Sequence, residues 1–196
     1  MKKSPLIKSS KEIILLLLYA KGKTNKLYEP IDGRTRLMKM VFLFKEELKI
    51  YFNNKSILDT SSLPDFSAYD FGPFSYDVLN DIEFLKTNEF ISVKTLEEEP
   101  IPEEIFEYNQ WENEVNVKID NETYIPEEYS LSNLGIEFTE KKLISELTIE
   151  QENILNEFKK RCTEVSLRTL LKYVYKSYPK MITKSKIRDE ILKEYY

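Results

Sequence analysis

Histidine is absent from this chain of 196 residues, and cysteine occurs once, as Cys162. Without histidine no Ser-His-Asp or Cys-His nucleophile system can be assembled, nor any histidine-containing zinc site. A lone thiol can form neither a thiolate cluster nor an internal disulfide. Only four glycines are present, at 22, 33, 72 and 135, so the sequence holds no G-x-x-x-x-G-K-[ST] loop and no G-x-G-x-x-G turn to cradle phosphates. Long apolar runs are missing as well. The longest, Ile13 to Ala20, falls far short of the ~20 residues that span a bilayer. It continues into Lys21, Gly22 and Lys23 instead of a small-residue cleavage site. These absences predict a cytoplasmic protein that works without a metal or cofactor and is not an enzyme. The nearest approach to a nuclease motif, Pro64-Asp65 with Glu83 and Lys86, has the wrong spacing and falls on a predicted helix.

Charge is plentiful but segregated. Apolar residues make up 41% and charged residues 32%, a balance that folds in water. Residues 1–55 carry net +8, residues 56–130 net −16 and residues 131–196 net +3, a division hidden by the overall −5. Such fields steer partners of opposite charge; equally, the acidic middle can fold back onto the basic start.

Periodicity predicts a mostly helical α+β chain. Ser9 and Glu12 form an S-x-x-E capping box opening a greasy core helix to about Ala20, and residues 21–32 read as a polar loop. A second helix, from Arg34 to about Lys49, places Leu37, Met40, Val41 and Phe44 on one face. The segment 55–64 is a polar connection, and Phe66 to Tyr69 a short strand or an extended lead. The Gly72-Pro73 break and Ser75 suit the start of a third helix with Tyr76, Leu79, Ile82 and Leu85 apolar. Phe90 to Thr95 alternates as a strand does, and further strands are expected at 114–119 and 122–125 around Asp120-Asn121. Beyond Ser132 the chain reads as helical. A second capping box, Thr148 with Gln151, launches a helix carrying Ile154, Leu155, Phe158 and Cys162; helices follow over 165–178 and 185–195. Two helices followed by a strand suggest a winged helix-turn-helix-like core with an enlarged β wing over 90–132. The expected organisation is a domain over 1–135 with an acidic insert at about 97–113, and a helical C-terminal extension over 136–196 packed on it.

The words Arg36, Leu37, Lys39, Val41, Phe42, Leu43 and then Phe71, Gly72, Pro73, Phe74, Ser75 resemble the YwgA-like proteins and the related SocA/Panacea-type domains. Their cores read Arg-Leu-x-Lys-hydrophobic-Phe-Leu, then Tyr-Gly-Pro-Phe-Ser. Asp70-Phe71 stands here where that family more often has Tyr, and YSLSNLG at 129–135 echoes its Leu-Thr-x-x-Gly ending. The resemblance covers about the first half of the chain. It implies a winged-helix scaffold of a small regulator or an antitoxin-like module that binds a toxin; it supplies no active site.

Two sets of residues are candidates for binding. Arg34, Arg36 and Lys39 sit at a helix N-terminus, where the dipole disfavours cations, so they are expected to answer to Asp70, to Asp77 or to a bound anionic partner. With Phe71, Phe74 and the insert residues Phe106 and Trp111, they form the expected protein-partner set. Arg168, Lys172 and Lys176 recur at i, i+4, i+8, with Lys159, Lys160 and Arg161 before them and Lys180, Lys184, Lys186 and Arg188 after. This is the expected nucleic-acid surface, or a solvated helix face. Asp77, Asp81 and Glu83 lie on the third helix, where a groove-reading winged helix wants basic or amide groups. The expectation is therefore a regulatory or adaptor protein, antitoxin-like, that holds a protein partner. The alternative is a winged-helix DNA-binding transcription regulator using the basic N- and C-terminal surfaces, with a homodimer open in either case.

Overall fold

A computed structural model describes residues 5–52, 54, 56–95 and 126–193. Helix α1 (Ser10–Tyr19) opens with the expected capping box: the Ser9 hydroxyl accepts from a main-chain amide, and Glu12 reaches back to the Ser9 amide at 2.9 Å. Its Ile13 to Leu18 are buried on every side, as their unbroken apolarity requires. Strand β1 (Ile31–Asp32) follows inside what the sequence presents as a loop. Helix α2 (Arg34–Leu43) begins after Gly33 and does not run on as a plain α-helix to Lys49. It loosens into a π turn (Phe44–Leu48) and then tightens into a 3₁₀ turn (Lys49–Phe52). The extra residue in the π turn re-aims the side chains that follow it, and such turns gather at functional sites.

Gly72-Pro73 does not lead a helix. Strand β2 (Ser67–Tyr69) pairs antiparallel with β3 (Gly72–Phe74), and the turn is closed by Gly72 at φ +87°, a value that favours glycine. Helix α3 (Tyr76–Thr87) starts only afterwards, and the Ser75 hydroxyl makes no capping bond. Strand β4 (Ile91–Thr95) pairs antiparallel with β5 (Glu127–Leu131), whose other edge takes β1, giving the order β1-β5-β4. The strands expected at 114–119 and 122–125, and the insert at 97–113, lie outside the described residues.

Helix α4 (Asn133–Phe138) begins at Gly135's close approach to the sheet: a Cβ there would sit 1.9 Å from the Phe90 carbonyl oxygen. A second π turn (Thr139–Leu143) leads to α5 (Ile149–Glu164), opened by the Thr148–Gln151 capping box. Helix α6 (Leu167–Ser177), a 3₁₀ turn (Pro179–Ile182) and the short α7 (Arg188–Leu192) complete the described chain. Among the described residues the architecture is α+β with 60% helix and small antiparallel sheets. One hydrophobic cluster runs from Ile7 through α1, α2 and α3 to Phe158, Leu171 and Ile191, so residues 136–193 share the core of the first half.

Candidate functional site

The expected partner-binding cations turn out to hold the fold together. Lys39 is completely buried and gives its ammonium to the Pro73 carbonyl at 3.1 Å, and Arg34, at the start of the same helix, is buried as well. Arg36 donates to the carbonyls of Cys162 at 2.5 Å and Val165 at 2.9 Å, the last acceptors of α5. Phe71 and Phe74 are buried, with Phe74 stacked on Tyr69 at 4.8 Å. Arg34, Lys39, Phe71 and Phe74 are too buried to form a docking surface, the Gly72 hairpin turning its two rings inward, and the half-buried Arg36 is engaged by the two carbonyls. Phe106 and Trp111 lie outside the described residues.

The expected nucleic-acid set is corrected in part. Lys159 is completely buried, and its ammonium reaches the carbonyls of Leu18 at 3.2 Å, Ala20 at 2.8 Å and, closest of the three, Glu29. It caps the C-terminus of α1 from α5, and burial pulls its pKa down to about 7 against the opposing field of Glu29. Arg168 donates to the Glu190 carbonyl at 2.6 Å, and Lys186 pairs with Asp70 at 2.6 Å. Lys176 and Lys184 are exposed, and Lys172 is half-buried.

Two surfaces that spacing alone did not indicate now stand out. The first is the outward face of α3. Tyr76, which shares the apolar spacing of Leu79, Ile82 and Leu85, is nevertheless 46% exposed, and Phe84, two turns on, is 48% exposed. Asp77, Asn80, Glu83 and Lys86 lie exposed between and around them. Asp81 is turned away: it accepts from the Ser10 hydroxyl and from Lys11 Nζ at 2.8 Å, at the N-terminus of α1, where the dipole favours an anion. Lys11 also lies 5.1 Å from the centre of the Phe84 ring.

The second surface is a groove between the tail of α2, α5 and α6. The π turn delivers Glu47 to its centre, where one carboxylate oxygen accepts from Tyr173 Oη at 2.8 Å and Tyr178 Oη at 3.1 Å. Burial and the bond to Glu47 raise the pKa of both phenols, keeping them protonated as donors. On one side of Glu47 lies a cavity of about 250 Å³ floored by Leu43, Phe158, Cys162 and Leu170. On the other an open trough of about 750 Å³ runs past Tyr51, Ile149 and Ile154; Glu47, Phe158 and Arg161 belong to both. The far end is pinned by Gln151, which donates to the Tyr51 carbonyl at 3.0 Å. Ile149 is 78% exposed. The Cys162 thiol is pushed up to about 12 by burial, so it stays protonated at neutral pH and is no nucleophile. Among the described residues, no group of three or more Cys, Asp or Glu is placed to hold a metal ion.

No family model, curated protein or solved structure matches this chain.

Proposed function

We propose that this chain is a winged-helix-type adaptor, regulatory or antitoxin-like, that acts by holding a protein partner and not by catalysis. The fold reading is supported by the order α1-β1-α2-β2-β3-α3-β4-β5: β1 pairs with β5 beside the β4–β5 hairpin, as the short strand and wing of a winged helix do, while the β2–β3 hairpin between α2 and α3 is an addition to that plan. It agrees with the resemblance to the YwgA-like and SocA/Panacea-type proteins.

The observation that carries the function is the outward face of α3. In a groove-reading winged helix this face meets phosphates and base edges, and carboxylates there are repelled. Here it presents two half-exposed aromatic rings with Asp77 and Glu83. Exposed aromatic anchors of this kind dominate protein interfaces. Fluorescence anisotropy of a labelled mixed-sequence duplex, measured between 50 and 200 mM salt, tests the proposal. The expected result is no appreciable binding at either salt concentration. Tight binding that falls steeply with salt sinks the proposal in favour of a DNA-binding regulator. That second reading has one observation in its favour, the exposed Lys176, Lys180 and Lys184. The triple reversal of Arg168, Lys172 and Lys176 to glutamate would then abolish the duplex binding.

A further inference from the structure

The groove along α5 is open, apolar at its floor and not filled by any described part of the chain. Its cavity and trough join at Glu47, Phe158 and Arg161. From Ile149 to Cys162 the α5 residues facing it are adjacent pairs that recur every four residues, at 149/150, 153/154, 157/158 and 161/162, one side of a helix over ~20 Å. That length matches about 13 residues of a second helix laid alongside. The apolar contribution is graded. Phe158, Leu43 and Leu170 form a buried floor, whereas Ile149, Tyr51 and Tyr173 stand out into water at the edges. An isolated exposed isoleucine needs no explanation, but one aligned with two half-exposed tyrosines along a trough is a patch with a direction.

Charge decides what kind of helix fits. The charged groups on the rim are Glu47, Glu150, Glu157 and Arg161. Glu150, Glu157 and Arg161 make no ion pair or side-chain hydrogen bond among the described residues, while Glu47 is held by two phenols. Three carboxylates against one guanidinium leave the rim negative, and exposed charges of this kind steer and select a partner more than they bind it.

We infer that this groove seats a positively charged amphipathic helix of three to four turns from a protein partner, with aliphatic anchors at i, i+3 or i+4, and i+7. The inference rests on the reading of the chain as a partner-holding protein. It gives that partner a chemistry and a seat built from α2, α5 and α6, separate from the α3 face.

The probes are two fluorescein-labelled 14-residue synthetic helices sharing the same leucine positions, one with lysines and one with glutamates elsewhere, titrated against the full chain by anisotropy. The lysine helix is expected to bind, and the glutamate helix at least about tenfold more weakly. Ile149→Asp and Glu157→Lys should each weaken the lysine helix by about tenfold while leaving thermal unfolding unchanged, since both side chains are exposed. Phe84→Asp should leave that affinity intact. The inference is overturned if neither helix binds, if both bind alike, or if Phe84→Asp abolishes binding that Ile149→Asp spares. It is equally overturned if sedimentation shows a homodimer that Ile149→Asp dissociates, which would make the occupant a second copy. A small apolar dye that fills the groove while no helix competes with it also overturns the inference. Loss of helix binding with no duplex binding ends the groove inference alone; duplex binding ends the adaptor reading.

Discussion

Lysine at 159 does the work that glycine does at many helix ends. The chain has four glycines, and the residue following α1 is Ala20 in an extended conformation, so no left-handed cap takes up the last carbonyls. Lys159 turns its amino group to three carbonyls instead, and Arg36 turns its guanidinium to two at the end of α5. Replacing Lys159 by methionine removes a buried cation that is costly to desolvate, but leaves three buried carbonyls without a partner. Each orphan costs ~1–3 kcal/mol, so the loss outweighs the relief, and Lys159→Met should be destabilised by about 3 kcal/mol in urea unfolding. The lysine also fixes a pH dependence. Its folded pKa of about 7 lies below the ordinary value of 10.5, so between those limits the unfolded state binds more protons than the folded one. Stability of the native chain should therefore rise from pH 7 towards pH 10, by at most about 1.4 kcal/mol per pH unit from this group, and Lys159→Met should lack that rise. Thermal melts of both proteins across this window check the sign.

At the level of elements, α4 packs tightly against the residue that leads into β4. The Gly135 backbone packs against the Phe90 carbonyl with no room for a methyl group, and Ser132 takes the same strand end, its hydroxyl donating to the Glu89 carbonyl at 2.5 Å. Because the obstacle is main chain and not the tip of a flexible side chain, Gly135→Ala must push α4 off the sheet. A loss of about 3 kcal/mol is expected, read as a lower urea midpoint. The caps are smaller contributions. Thr148→Ala should cost about 1 kcal/mol through loss of the bond its hydroxyl accepts from the Gln151 amide at 3.2 Å. The π turn after α2 is of another kind. It brings Glu47 beneath two phenols and leaves Ile50 and Tyr51 exposed, shaping the groove rather than the core.

For the whole molecule, the hydrophobic cluster and the carbonyl-capping cations bind the two halves into one cooperative structure. Helix α5 caps α1 through Lys159, and α2 caps α5 through Arg36. The loop 21–24 is tied to α5 as well: the Lys21 amide donates to Asn156 at 2.8 Å and the Lys23 amide to Thr163 at 3.1 Å. A fragment ending at Leu147 therefore loses the cap of α1 together with Leu155, Phe158, Leu170 and Leu171 from the core. That fragment is expected to lack cooperative unfolding and a near-ultraviolet dichroism signal, while the full chain melts in one transition. Two independent melting transitions in the full chain would show instead that the C-terminal helices are a separate unit.

Much of this was legible in one dimension. The capping boxes at Ser9 and Thr148, the 3.6-residue spacing of α2, α3, α5 and α6, and the alternation at β4 are local signals between residues a few positions apart, and they placed those helices and that strand close to where they lie. The destination of each cation was not legible, because a lysine bound for three carbonyls reads like one bound for water. Lys39 and Lys159 joined binding surfaces on paper and are in the core in space. Partners distant in sequence decided this: Pro73 lies 34 positions from Lys39, and the carbonyls that Lys159 meets lie 130 to 141 positions away. Contacts between remote segments likewise decided the pairing of the two-residue β1 with β5 and the fit of Gly135 against Phe90. Sequence by itself determined where helices begin, how charge is divided along the chain and which chemistries its composition rules out. The tertiary structure alone decided which charges face water, since only packing chooses between a solvated ammonium and one satisfied by main-chain oxygens.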